Sequence, residues 1–172
     1  MFGMDKKKLQ LMPHDVSWKD DFLSESERIK SAVHDSSIRI EHIGSTSIPN
    51  VYAKPILDLA ILCGGNGLEP VITALRELGY EYRGQFDDKI GHFYAVLDKG
   101  DIRLVQAHIY TEATDDWNLK LKFRNVLSQN AELSKEYNDY KLELAKRVSS
   151  KGEYAKIKDK WVDKFILKVF ER

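Results

Sequence analysis

A single cysteine, Cys63, stands in the 172 residues, so the sequence encodes no intrachain disulfide and no cysteine metal cluster. No run of about 18 apolar residues occurs, which removes a membrane-spanning helix from the reading. Net charge is absent too: 27 Lys and Arg balance 27 Asp and Glu, which argues against a protein that coats nucleic acid. Lysines 6, 7 and 8 are not followed by an apolar stretch, so the start does not read as a secretory signal. These absences leave a soluble globular protein without a membrane partner, expected in the cytoplasm.

The zero net charge hides an asymmetry. Residues 1–112 hold 13 Lys and Arg against 17 Asp and Glu, whereas residues 113–172 hold 14 against 10. A basic second part facing a mildly acidic first part would suit a phosphorylated small molecule; a set of solvated, lysine-rich helix faces has the same signature.

The length suits one domain, with residues 12–112 as an α/β sheet part and 113–172 as a helical part. Trp18, Phe22, Ile29 and Val33 recur at helical spacing, with Ser17 as the expected cap of a helix over 18–34. Residues 37–43 read as a strand. Residues 55–62 form a nearly continuous apolar run closed by glycines, the profile of a central strand buried on both faces. Val71, Ile72, Leu75 and Leu78 predict a helix from about Pro70 to Gly79. A short strand over 80–83 follows, then a hairpin of 92–97 and 102–110 around Asp98-Lys99-Gly100-Asp101. Its second strand would align Ile102, Leu104, Gln106, His108 and Tyr110 on one face. Thr114 and Asn130 are placed to cap two further helices, and Tyr154, Ile157, Trp161, Phe165 and Val169 mark a last one. An α/β layer with a helical lobe folded onto it covers all these apolar stripes.

Chemistry concentrates in Glu41-His42-Ile43-Gly44-Ser45-Thr46-Ser47 and, fourteen residues after the glycine, Asp58. Glycine lets a backbone approach a phosphate closely, and the three hydroxyl residues add donors. Asp58, inside an otherwise apolar strand, is placed to bind a divalent metal or to accept a proton. A structural reading stands beside this one: Ser45 or Thr46 caps a short helix, and Asp58 is a hydrogen-bonded carboxylate paired with Lys54 or Arg39.

Glu-His-Ile-Gly-Ser-Thr-Ser-Ile-Pro at 41–49, with Lys-Pro-Ile-Leu-Asp at 54–58, resembles the signature of the GrpB family, also called UPF0157. Gln106-Ala107-His108, Phe123-Arg124-Asn125-Val126-Leu127 and Tyr137 with Lys141 extend the resemblance over about residues 12–170. It implies a nucleotidyltransferase-like mixed β-sheet with flanking helices and a C-terminal helical lobe. It also implies a nucleotide or small phosphorylated ligand, a divalent metal such as Mg, Mn or Zn, and transfer of a nucleotidyl or related group. A ligand related to coenzyme A, or a module that binds without transferring, fits the same family, and a protein-interaction domain using the helical lobe is a third reading. On this reading Asp58 and His108 are the catalytic candidates. Gly44, Ser45, Thr46, Ser47, Lys54 and Arg124 would contact phosphate, and Asp58, His108, Glu41 and His42 would hold metal.

Two departures from the family pattern are visible: Asn50 stands where glycine is usual, and Asn125 where aspartate is usual. A third concerns the wider superfamily. Two-metal transfer uses a pair of carboxylates at i and i+2, because two ions about 3.5–4 Å apart need bridging ligands. Position i+2 after Asp58 is Ala60.

Overall fold

The computed structural model describes residues 2–34, 37–87 and 89–170. Its elements are β1 (Met4–Asp5), α1 (Ser17–Val33), β2 (Arg39–Ile43), β3 (Leu57–Leu62), α2 (Leu68–Glu77), β4 (Glu81–Gln85), β5 (His92–Lys99), β6 (Ile102–Tyr110), α3 (Asp115–Gln129), α4 (Ala131–Arg147) and α5 (Lys151–Phe170). One sheet runs β2-β3-β6-β5-β4, with β1 added to the outer end of β6. β3 and β6 are parallel and the other pairs antiparallel, so the sheet is mixed. The apolar run at 57–62 is indeed central, between β2 and β6.

The two sheet faces are covered differently. Leu57, Leu59, Ile61, Val105, Ala107 and Ile109 point toward α1 and α2, where they meet Trp18, Ile29, Val71 and Leu75 in the main core. The opposite face carries Ile43, Ala60 and Tyr110 under Trp117 of α3. A third cluster joins Ile48 and Val51, just after the glycine-serine segment, to Leu127, Tyr137 and Phe165 of the helical lobe. The lobe therefore packs directly on the segment that carries the candidate chemistry.

Local details refine the sequence reading. Thr114 and Asn130 cap α3 and α4, accepting from the amides of Trp117 and Leu133. Ser17 does not cap α1; it lies within the first turn, and Asp15 accepts its amide at 2.9 Å. Helix α2 begins at Leu68, placing Pro70 in its first turn, where the missing N–H has no helical partner to lose. A bulge in the β5–β6 pairing leaves Leu104 without a partner and re-phases the strand, so Leu104 joins the main core while Gln106, His108 and Tyr110 stay on the α3 face. No described helix is long and apolar enough to cross a membrane.

α1 is tied to the end of α2 and the start of β4 by a buried polar knot. Arg28 grips Glu25 with Nε and Nη2 at 3.0 and 2.7 Å, and donates to the carbonyl of Leu78 at 3.3 Å. The Tyr80 hydroxyl donates to the same Glu25 carboxylate. Glu25 is buried, so each lost partner costs more than the bond itself contributes. Tyr80→Phe is expected to lower unfolding free energy by about 1–2 kcal/mol, read as a lower urea midpoint with an unchanged slope.

Candidate functional site

Gly44 opens the site. Its φ of 70° lies in the left-handed region, and a side chain there would collide with Oδ2 of Asp58. The chain then makes one 3-10 turn, Ser45–Ser47, rather than the α-helix that would present a row of free amides to an anion. The three hydroxyls divide. Ser47 turns back to the Gly44 carbonyl at 2.6 Å. Thr46 is buried, close to the Ile56 carbonyl and within 2.9 Å of His42 Nε2. Ser45 faces the helical lobe, 3.0 Å from the Tyr137 hydroxyl. Of the three, Ser45 alone is partnered by a side chain of the facing lobe with no backbone carbonyl holding it.

Asp58 sits opposite Ile43 on β2 and Gln106 on β6. Gln106 Nε2 donates to its Oδ1 at 2.7 Å. Burial raises the Asp58 pKa, opposed by this hydrogen bond and by the positive charges of Lys54, Lys158 and Lys120. Lys54 is correspondingly pushed down to about 8, first by burial and then by Lys158. Its Nζ lies 5.8 Å from the centre of the Tyr154 ring. Lys158 pairs with Asp159 at 3.0 Å, and the field of Lys151 also reaches Asp58. One carboxylate is thus surrounded by lysines from the segment before β3, from α3 and from α5.

The sheet's period of two separates the residues proposed to hold metal. Glu41 pairs with Ala60 and His108 with Ala60 on the other side, so both lie on the Asp58 face. His42 is the correction: it alternates to the opposite face, stacks on Phe22 of α1 with ring centroids 4.8 Å apart, and is held at a pKa of about 4 by burial. Glu41 is taken by Arg124 at 3.0 Å and Arg39 at 3.3 Å. Arg124 also donates to the His42 carbonyl at 2.8 Å, so it pins α3 to β2 rather than facing the cleft. β6 does lie beside β3, but the register puts Gln106, not His108, opposite Asp58. Among the described residues no three His, Cys, Asp or Glu side chains come together to hold a metal ion. A donor set of one carboxylate and one amide does not fit a two-metal centre.

Sequence reasoning missed Gln106 as the Asp58 partner and Lys158 and Lys120 as its counter-charges; nothing in the pattern distinguished those lysines from surface cations. Lys141, which with Tyr137 carries part of the family resemblance, is buried and donates to the Tyr52 carbonyl instead of reaching outward. Asn50, in the glycine position, adopts φ 62°, the left-handed geometry asparagine tolerates. Asn125 accepts from Arg124 Nε at 3.0 Å. Gly44→Ala combines a strained φ with a collision at Asp58 and is expected to cost roughly 1–3 kcal/mol, measured by urea unfolding. An unchanged midpoint would show that the turn relaxes freely.

The geometry has counterparts. The model of the family described as "GrpB protein" matches residues 8–168. Glutamate-rich protein GrpB of Alkalihalophilus pseudofirmus is 30% identical over 174 residues, covering 96% of this chain and 98% of that protein. UPF0157 protein YqkA of Bacillus subtilis is 31% identical over 159 residues, covering 91% of this chain, which spans only 46% of YqkA's length. The crystal structure of the conserved protein GrpB from Enterococcus faecalis superposes with a TM-score of 0.82 at 28% identity, over 95% of this chain and 100% of that one. The Cid1 poly(U) polymerase superposes with a TM-score of 0.53 at 15% identity, over 79% of this chain and 43% of that one, a likeness of fold alone. With a nucleotidyltransferase-like sheet, a glycine-serine turn against Asp58 and a family match across nearly its whole length, this chain belongs to the GrpB family.

Proposed function

We propose that the protein binds a nucleotide or another phosphate-bearing small molecule in the cleft around Asp58. The observation that carries this reading is the charge balance there: Lys54, Lys158 and Lys120 act on one carboxylate. Lys158 and Lys120 have Asp159 and Asp116 beside them, but Lys54 is withdrawn from water with no carboxylate in ion-pair contact among the described residues. An unmatched buried cation is costly, and a phosphate group would supply the missing anion. Ser45 and the lysines are the groups that would take its oxygens. The Cid1 structure, which holds MgGTP, shares the fold and supports a nucleotide by analogy only.

A second reading, transfer of a nucleotidyl or related group, is favoured by Asp58 itself. A carboxylate among bound phosphates repels them unless a cation stands between. One carboxylate suffices for a single magnesium ion whose other ligands are phosphate oxygens and water. Ala60 and Gln106 stand where ordinary two-metal chemistry would want further acids, so binding is the better supported of the two.

ATP and coenzyme A precursors are expected to raise the melting temperature, since a ligand that binds only the folded state stabilises it. Lys54→Met should weaken ATP binding about tenfold, the loss of roughly 1.4 kcal/mol from one charge-assisted contact. Lys54 is protonated below about 8 and neutral above it, so anion affinity present at pH 7 should fall as pH rises through 8. No ligand-induced shift at any pH sinks the reading.

Asp58→Asn separates the two readings by calorimetry. Without transfer chemistry, the variant should bind ATP more tightly than the parent in EDTA, because a repelling charge is gone. If a magnesium ion bridges, the variant should instead lose about tenfold or more in magnesium, together with any pyrophosphate release.

A further inference from the structure

A second polar network lies on the same sheet face, beyond the residues that surround Asp58. Asp116, in the first turn of α3, accepts from the Tyr110 hydroxyl at 2.6 Å and from Lys89 at 2.7 Å. His92 Nδ1 lies 3.5 Å from the same carboxylate, near enough to feel its charge but without hydrogen-bond geometry, and is enclosed with no hydrogen-bond partner. His92 Nε2 lies 2.9 Å from His108 Nδ1. Phe86 and Tyr110 both stack on the His92 ring, at 4.6 and 4.3 Å, and fix its plane. The row reads Asp116, His92, His108.

The protons in this row can be assigned by elimination. Asp116 is ionised, its pKa lowered chiefly by Lys120, Lys89 and the Tyr110 hydroxyl against the opposing effect of burial. The carboxylate charge 3.5 Å away repels a lone pair and attracts an N–H dipole, which favours hydrogen on the His92 nitrogen facing it. Both imidazoles are neutral at pH 7: burial holds His92 near 4 and His108 well below its ordinary value. A neutral ring has one N–H, so His92 Nε2 must accept and His108 Nδ1 must donate to it. That leaves His108 Nε2 as a bare lone pair. Among the described residues it makes no hydrogen bond, and it is not one of the enclosed polar atoms.

His108 also lies on the sheet face of Asp58. It flanks Ala60 on β3, two positions along β6 from Gln106. Tyr94 contacts the His108 ring at 5.1 Å and feels the Asp58 charge. Lys120 acts on Asp58 at one end and on His108 and Asp116 at the other.

We propose that Asp116, acting through His92, locks His108 in the tautomer whose free Nε2 accepts a hydrogen bond from a hydroxyl group of the phosphate-bearing ligand. The inference rests on the phosphate-binding reading for its ligand, and names the feature that ligand carries: a hydroxyl near the phosphate, as in a ribonucleotide or a sugar phosphate. His108 is the group in contact; His92 and Asp116 are positioning residues. Because the free nitrogen cannot donate, the site discriminates against a ligand that presents a second acceptor at that point.

Long-range ¹⁵N–¹H correlation spectra of the histidine rings test the assignment, with His108→Asn identifying the signals. At pH 7, His108 should show hydrogen on Nδ1 and a bare Nε2. His92→Phe keeps the ring stacking, removes the link, and should leave His108 as a mixture of tautomers. Hydrogen on His108 Nε2 in the parent protein overturns the proposal whatever the variant does. Adding ATP should shift the Nε2 signal, and 2′,3′-dideoxy-ATP should shift it less and bind more weakly. In His108→Asn, that preference for the hydroxylated nucleotide should shrink to less than half. ATP that binds, and loses affinity in Lys54→Met, but leaves the His108 signals unmoved overturns the hydroxyl contact alone. ATP that does not bind overturns the phosphate reading and the contact together, while the tautomer is decided by the free protein.

Discussion

Everything at the site depends on one carboxylate placed inside a sheet, where burial raises its pKa. Asp58 stands in a strand whose neighbours are apolar, and taking a carboxylate out of water costs several kcal/mol unless its oxygens are satisfied. The structure offsets part of that cost from three directions. Gln106 supplies a hydrogen bond from the adjacent strand, Lys54 a charge from the segment before β3, and Lys120 and Lys158 charges from the helical lobe. The absence of a side chain at Gly44 lets the backbone close over the fourth side. No single element could do this. The helical lobe contributes to the electrostatics of the sheet as well as covering it.

The same period of two that fixes the strand hides half of its polar residues from the site. Glu41, Asp58, Gln106 and His108 share one face, whereas His42 shares the face of Leu59 and Ala107. On that side α1 and α2 exclude water, so His42 is neutral and serves Thr46. On the other, α3 covers the sheet unevenly: Trp117 and Leu121 seal the region around Ala60 and Tyr110, while Lys120 lies near the carboxylates. One face is given to stability and the other is shared between packing and chemistry.

Much of this was legible in the sequence, and the boundary of what was legible has a physical cause. Local signals read well: the apolar run of β3, the hairpin around Gly100, and the caps Thr114 and Asn130 all act within a few residues of themselves. The Gly44 turn and Asp58 were legible because an acid in an apolar strand contradicts its surroundings. Register was not. Whether His108 or Gln106 faces Asp58 depends on pairing between strands 48 residues apart, and a bulge at Leu104 shifts the phase before either is reached. The use of Arg124 for anchoring, and of Lys158 for the field at Asp58, depends on which way whole helices turn, and helical lysines carry no mark that separates a cleft from a surface.

The alanine at position 60 shows how firmly the packing excludes a second carboxylate beside Asp58. Ala60 is fully buried, with Ile43, Tyr110 and Trp117 around it and Leu121 closing the cluster. A second aspartate there would meet aromatic and aliphatic side chains where a metal ion would need water and oxygen ligands. The small residue is therefore matched to the way α3 lies on the sheet, and α3 is in turn held there by Arg124 on Glu41 and by the Tyr110 bond to Asp116. Replacing one residue would not create a two-metal centre, because the helix that fills its place is anchored by residues of its own. The same anchoring brings Asp116 up to His92 and thereby sets the protons of His108. What the fold excludes at Ala60 and what it holds at His108 follow from one docking of one helix.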